Sequence, residues 1–311
     1  MERRRLGYPF SLAGARGQLR DFRRFHSMDG AGSTTRHSRD RGEDRYVVPV
    51  LAAPRRGRAE RFARALHGRH PVLVFLAAAL AGLAVLAALS IGLGLLVTHV
   101  LVQTAGIGSA DDGFVRDLAQ HRTGFETDAS AVGSMVGGAP VLPILVGLIA
   151  IVCAIKRYWR VAAFAVFVLA LESATYRITT LAAPRDRPHV HRLEGLPADA
   201  SYPSGHTAAS IAVYAGLVLL ITSRIRTTWV RVAAWALAVA IPAFVAMSRM
   251  YRGMHHPLDV AGGAVIGIGA IVVLVFACRA AGAASLLRSE PSARRVAPSG
   301  ARSDRGTVTA A

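Results

Sequence analysis

The chain has 311 residues, 52% of them hydrophobic, with a mean hydropathy of +0.38 and a formal net charge of +18. A sequence this apolar excludes a pair of ordinary soluble domains and points to the bilayer as solvent for one integral membrane domain. The charge does not indicate a nucleic-acid surface, because the arginines gather near the two ends and in short links between apolar stretches, not along one face.

Residues 1–70 are rich in Arg, Gly and Ser and hold few apolar clusters. Such a stretch buries too little surface to offset its chain entropy and is expected to be a disordered, Arg-rich cytoplasmic tail. Its basic start is followed by no apolar core with a small-residue cleavage site at signal-peptide distance, so a cleaved signal is not expected, and Met28 is a second candidate start. The first span falls within 72–102. It exceeds the roughly 20 residues that cross about 30 Å of hydrocarbon, which implies tilt or a projecting end. A polar loop at 103–130 follows, where Asp111, Asp112, Asp117, Glu126 and Asp128 outnumber Arg116 and Arg122, as suits a translocated segment.

The second span, 131–155, stops at Lys156, Arg157 and Arg160, with Tyr158 and Trp159 as interfacial aromatics. A third span at 161–182 leads into a polar stretch, and a fourth at 204–222 ends on Arg224, Arg226 and Arg231. The fifth, 232–250, turns tightly into the sixth, 258–278, after which an Arg-rich tail at 280–311 is expected to be disordered. A membrane domain at 71–279 with six spans places both ends in the cytoplasm, every basic link inside and the acidic loop outside. Cys153 and Cys278 lie within spans and lack CxxC or Cys/His spacing, so neither a disulfide nor a metal site is expected.

Three polar clusters interrupt this pattern, and the topology puts all three on the outer face. They are Arg185-Asp186-Arg187-Pro188 after the third span, Pro203-Ser204-Gly205-His206 opening the fourth, and the run from Ser248-Arg249 through His255 to Asp259. Arg187 and Arg249 offer planar forks of N–H donors that match phosphate oxygens in pairs. Ser204 and Gly205 sit at a predicted helix N-terminus, where free N–H groups and the helix dipole favour an anion. His206 and His255 arrive from different loops, which makes a nucleophile and an acid–base group available near neutral pH. Asp259 lies four residues after His255 in the first turn of a helix opened by Pro257, positioned to fix one imidazole tautomer. Each feature alone has an ordinary reading: an anchor, a cap, a loop histidine. Their joint order on one face is what indicates a site.

At these residues the sequence resembles the type 2 phosphatidic acid phosphatase (PAP2) superfamily, whose signature is K-x6-R-P, P-S-G-H and S-R-x5-H-x3-D. The second and third elements match at every fixed position: Pro203, Ser204, Gly205 and His206, then Ser248, Arg249, His255 and Asp259. The first is half present, because Arg187-Pro188 match while Thr180 stands where the lysine belongs. Arg177 and Arg185 are the candidate replacements. The resemblance covers residues 140–278 and implies an all-α bundle of six transmembrane helices, like that of PAP2 proteins and haloperoxidases.

It also implies a mechanism. His255 attacks phosphorus to give a phosphohistidine, Asp259 holds its ring, His206 protonates the leaving oxygen, and Arg187, Ser204, Gly205 and Arg249 bind the phosphoryl oxygens, with no metal ion or other cofactor. The implied substrate is a lipid phosphate or diphosphate in the bilayer, of the undecaprenyl diphosphate, phosphatidate or phosphatidylglycerol phosphate class, hydrolysed at the extracytoplasmic face. A phosphotransferase using the same intermediate and a noncatalytic lipid-binding relative are the alternatives. The six spans argue against the mostly soluble haloperoxidases. Glu172 stands inside a span and is expected to find a partner on another helix or to protonate. His189, His191 and His256 read as loop residues, the first two within reach of a headgroup.

Overall fold

The computed structural model of the chain describes residues 48–295, apart from residues 55, 105 and 196. The tails expected at 1–70 and 280–311 therefore lie outside the described residues over 1–47 and 296–311. Among the described residues the secondary structure is helical, with an isolated parallel bridge between Arg185 and Ala200. The helices are α1 (Arg58–Ala65), α2 (Pro71–Leu96, extended by a π turn over Val97–Leu101), α3 (Ile107–Gln120), α4 (Gly124–Val136) and α5 (Val141–Ile155). They continue with α6 (Trp159–Ala182), α7 (Gly205–Thr222, with a π turn at Ile211–Ala215), α8 (Thr228–Tyr251) and α9 (Pro257–Arg295).

Five of these, α2, α6, α7, α8 and α9, are long and apolar enough to cross a bilayer, and α4 with α5, bent by 40° at their break, make a sixth when taken as one broken span. The expected second span is therefore not one straight helix. Gly137, Gly138 and Pro140 fall at the bend, and residues of these two types are the poorest at continuing a helix. Leu80, Val85 and Leu89 on α2, Leu148 and Ile155 on α5, and Val232 and Val239 on α8 are exposed. An apolar exterior on this scale fits a surface wetted by lipid.

α9 is the central post. Leu274, Ala277 and Ala280 are fully buried in a core shared with Val74 and Ala78 of α2 and Phe164 and Val168 of α6. Leu51 and Ala59 and Ala63 of α1 belong to the same core. This corrects the expectation of disorder from residue 48 onward: the segment's apolar residues are few, but Ala59, Phe62, Ala63 and Leu66 recur at helical spacing and meet α9 along one face. The tail boundary at 280 is corrected likewise, since α9 runs to Arg295 and Ala283 and Ala284 are buried. The expected polar loop at 103–130 contains α3 and the start of α4.

α7 and α9 approach backbone to backbone. A Cβ at Gly263 would lie 2.4 Å from the carbonyl oxygen of Ser204, and one at Gly267 would lie 2.6 Å from that of Ala208. Small residues allow such contact, which replaces the hydrophobic drive that helices lack among lipid tails. Gly263→Ala is expected to destabilise the fold by about 1–3 kcal/mol through overpacking. The midpoint of thermal unfolding in detergent checks this, with Gly147→Ala, whose Cβ meets nothing within 4 Å, as the unaffected control.

Candidate active site

The three sequence clusters meet where the α6–α7 link (183–204) crosses the α8–α9 turn. Arg185 and Arg187 are fixed by backbone bonds across the link, from Arg185 N–H to the Asp199 carbonyl at 3.2 Å and from Arg187 N–H to the Ala198 carbonyl at 2.8 Å. The Ser204 N–H donates to the Asp259 carbonyl at 2.9 Å, joining the start of α7 to the first turn of α9. Ser204 is the N-cap of α7, as the sequence predicts, and helix begins at Gly205.

Arg187, Gly205, His206, Arg249 and His255 line one cavity of about 310 Å³. Both imidazoles and both guanidinium groups of the expected set are thus brought together. The remaining wall is largely apolar, with Leu142 and Pro143 from α5, Leu169 and Tyr176 from α6 and Ala209 from α7. Gly138 borders His206 so closely that a Cβ there would lie 2.8 Å from its Nε2.

Arg249 is fully buried. Its Nη1 donates to Ser134 Oγ at 2.5 Å and to Glu194 Oε2 at 2.7 Å, while its Nε and Nη2 have no partner among the described residues. An unmatched buried cation fork is costly, and a second anion supplied by a ligand would satisfy it. Arg187 is also buried, and its side chain donates to the carbonyls of Pro197, at 2.7 Å, and Met254. Burial and then the neighbouring charge of Arg249 lower its pKa, as expected where two guanidinium groups face one anion-sized space.

His255 is buried, and its Nδ1 lies 2.6 Å from the carbonyl oxygen of Ser201. A carbonyl only accepts, so the proton sits on Nδ1 and Nε2 carries the lone pair. Burial first, and the charge of Arg249 next, hold the His255 pKa well below its usual 6.5, with Asp259 opposing. The ring is therefore neutral at physiological pH.

Asp259, expected to hold this ring and fix its tautomer, does not bond it directly. Asp259 Oδ2 stands 3.9 Å from His255 Nδ1, an electrostatic contact. The oxygen is taken instead by Ser201 Oγ at 2.6 Å and the His256 N–H at 2.8 Å, while Oδ1 accepts from Arg185 Nη1 at 2.5 Å. Ser201 is the link between them, its hydroxyl on Asp259 and its carbonyl on His255.

Other expected residues stand elsewhere. Ser204 is buried with its hydroxyl 2.9 Å from Thr207 Oγ1 and does not border the cavity. Neither candidate for the missing lysine reaches the cavity: Arg177 is exposed, and Arg185 is spent on Asp111 and Asp259. Thr180 is buried with its hydroxyl 3.4 Å from the Tyr202 carbonyl. Glu172 borders the cavity but, among the described residues, does not bond across to another helix; Oε2 accepts from Ser173 at 3.1 Å and Oε1 has no partner there.

Sequence reasoning missed several polar residues. Glu194, from the α6–α7 link, bonds Arg249, Arg252 and Ser134. Burial by itself would raise its carboxyl, but the charge and hydrogen bond of Arg249, with Ser134 and Arg252, override this and hold it at about 2. His256, read as a loop residue, is buried between Asp259 and Asp112. The signal that was available is charge balance: buried arginines need acidic partners, and this link holds few acids.

Residues 144–281 match the model of the PAP2 superfamily. An undecaprenyl-diphosphatase from Sulfolobus acidocaldarius is 41% identical over 75 residues, 24% of this chain and 32% of that relative's length. Among solved structures, a transmembrane PAP2-type phosphatidylglycerolphosphate phosphatase from Bacillus subtilis is similar at a TM-score of 0.49 and 20% identity, over 72% of this chain and 96% of that one. LpxE from Aquifex aeolicus is similar at a TM-score of 0.43 and 23% identity, over 53% and 94% of the two chains. The matched segment spans α5 to α9 and carries the second and third motifs complete, so it is over residues 144–281 that this chain is similar to the PAP2 superfamily.

Proposed function

We propose that the chain is a membrane phosphatase that hydrolyses a lipid phosphate or diphosphate through a phosphohistidine on His255. The observation that carries this reading is the shared cavity, where a buried arginine with two unpaired nitrogens faces two histidines and an apolar wall rises on the other side. A headgroup phosphate would satisfy Arg249 and Arg187 while the lipid chain lies along Leu142, Pro143 and Leu169.

In this reading His255 Nε2 attacks phosphorus in line. The N–P bond forms as the bond from phosphorus to the leaving oxygen breaks, and His206 delivers a proton to that oxygen. Water, deprotonated by His206, then attacks the phosphohistidine and releases inorganic phosphate. Positive charge developing on the His255 ring is offset by Asp259 at 3.9 Å and by the Ser201 carbonyl. Lys156 and Arg157 lie in the link α5–α6 and Arg224 and Arg226 in the link α7–α8, with Arg160 and Arg231 in the first turns of the helices that follow, and the site-bearing links alternate with them. By the positive-inside rule the site faces the extracytoplasmic side and the chain is a multi-pass cell-membrane protein with both ends in the cytoplasm.

The test is phosphate release by the purified full chain from a panel of lipid monophosphates and diphosphates in the presence of a chelator. Release from at least one lipid, lost in His255→Ala, supports the reading; a wild type inert towards every lipid overturns it. Phosphorylated acceptor alcohol in place of free phosphate would identify a transferase. The depressed pKa of His255 adds a pH expectation. Its neutral form is the nucleophile, so on the acid side the rate falls as pH drops through that lowered value. With substrate ionisation divided out, the acid limb of kcat/KM is expected well below the ordinary histidine value of about 6.5.

A further inference from the structure

α3 lies outside the segment that matches the PAP2 superfamily, yet two adjacent carboxylates from it reach the site. Asp111 Oδ2 accepts from Arg185 Nη2 at 2.6 Å, and Arg185 Nη1 donates to Asp259 Oδ1 at 2.5 Å. Asp112 Oδ1 lies 2.8 Å from His256 Nε2, and His256 Nδ1 lies 3.1 Å from Asp259 Oδ2. Each oxygen of Asp259 is therefore tied, through one intermediary, to a carboxylate of α3. Asp111 Oδ1 also accepts the N–H of Leu258 at 3.0 Å, in the first turn of α9.

We propose that Asp111 and Asp112 form a positioning brace that acts through Arg185 and His256 to fix the orientation of Asp259 and, through Ser201, the ring of His255. The proposal rests on the phosphatase reading given above. Asp259 has no exposure, and a buried carboxylate is tolerable only when its lone pairs are filled. Arg185, Ser201 and His256 fill them from different directions, so the group cannot rotate. The Arg185 side chain is only 10% exposed; burial alone would weaken its charge, but Asp259 and Asp111 outweigh this and raise its pKa. Without Asp111, Arg185 keeps one anchor and can swing toward water, leaving Asp259 Oδ1 unfilled. Asp111, Asp112, Arg185 and His256 are positioning residues, because none borders the cavity of His255 and His206.

Asp111→Asn isolates the effect, since its amide oxygen still accepts the Leu258 N–H while the charge opposite Arg185 is gone. In the full chain, kcat for lipid-phosphate hydrolysis is expected to fall about ten- to a hundred-fold in Asp111→Asn and in Arg185→Gln, as misplacement of a reacting group by a fraction of an ångström does. KM should stay within about two-fold, because the phosphate-binding arginines are untouched. The double variant should be no slower than the slower single, since both break one chain of contacts. Asp117→Asn, on the same helix and paired only with the exposed His121, should match wild type.

Should Asp111→Asn fail to fold, Arg185→Lys, which keeps the charge but cannot fork to two carboxylates, carries the test by the same split in kcat and KM. A folded Asp111→Asn or Arg185→Lys with wild-type kcat, a loss confined to KM, or fully multiplicative effects in the double variant overturns the brace alone. An inert wild type overturns the phosphatase reading beneath it.

Discussion

His255→Ala is expected to lower lipid-phosphate hydrolysis by at least about 10⁴-fold, because it removes the proposed nucleophile and not merely a contact. The ring has only one nitrogen free for attack: Nδ1 is committed to the Ser201 carbonyl at 2.6 Å, and no other imidazole bordering the cavity shares that arrangement. A labelled substrate quenched during turnover should leave acid-labile label on the wild-type chain and none on His255→Ala. His206→Ala should separate from it. Its loss falls on the proton given to the leaving oxygen, so an activated ester such as a nitrophenyl phosphate, whose leaving group needs no proton, should still label the enzyme. Label on the His255→Ala chain, or equal defects in both variants with the activated ester, would contradict these roles.

The second large effect is expected at Arg249. Lysine there supplies charge without the fork, and kcat/KM should fall by about 10²–10³-fold, the range seen when one preorganised donor to a developing oxyanion is removed. The Nε and Nη2 that would be lost are the two nitrogens left unpaired in a fully buried side chain. A second consequence distinguishes this residue from a simple phosphate clamp. Arg249 also bonds Glu194 and Ser134, so its loss leaves a carboxylate of the α6–α7 link held chiefly by Arg252. Arg249→Lys should therefore lower thermal stability as well as rate. Steady-state kinetics and thermal unfolding on the same preparations check both.

Much of this arrangement is legible in the sequence, and for a physical reason. Spans announce themselves by length and hydropathy, and a phosphate site must interrupt an apolar chain with Arg, His and Gly at fixed offsets. His206, His255, Arg187 and Arg249 were found that way. What was not legible depends on pairing over long separations. Asp111 and Arg185 are 74 residues apart, as are Arg185 and Asp259, and no local period links them. The same reason hid His256, whose partner Asp112 is 144 residues away, and Glu194, whose neighbours come from α4 and from the end of α8. A short amphipathic segment failed differently: α1 is polar and basic, so composition spoke for disorder while the spacing of Ala59, Phe62 and Ala63 carried the fold. The Asp259 contact shows the limit of motif geometry, because sequence offers the carboxylate four residues from the histidine but not the serine that stands between them.

The glycine seam between α7 and α9 divides the protein's freedom to change. Where main chains touch, the helices that carry His206 and Asp259 have no slack, and a larger side chain there would displace both groups. The greasy wall stands mainly on α5 and α6. In the proposed phosphatase, preference for one lipid tail over another would therefore be set by Leu142, Pro143 and Leu169, which can change while the polar groups hold their separation.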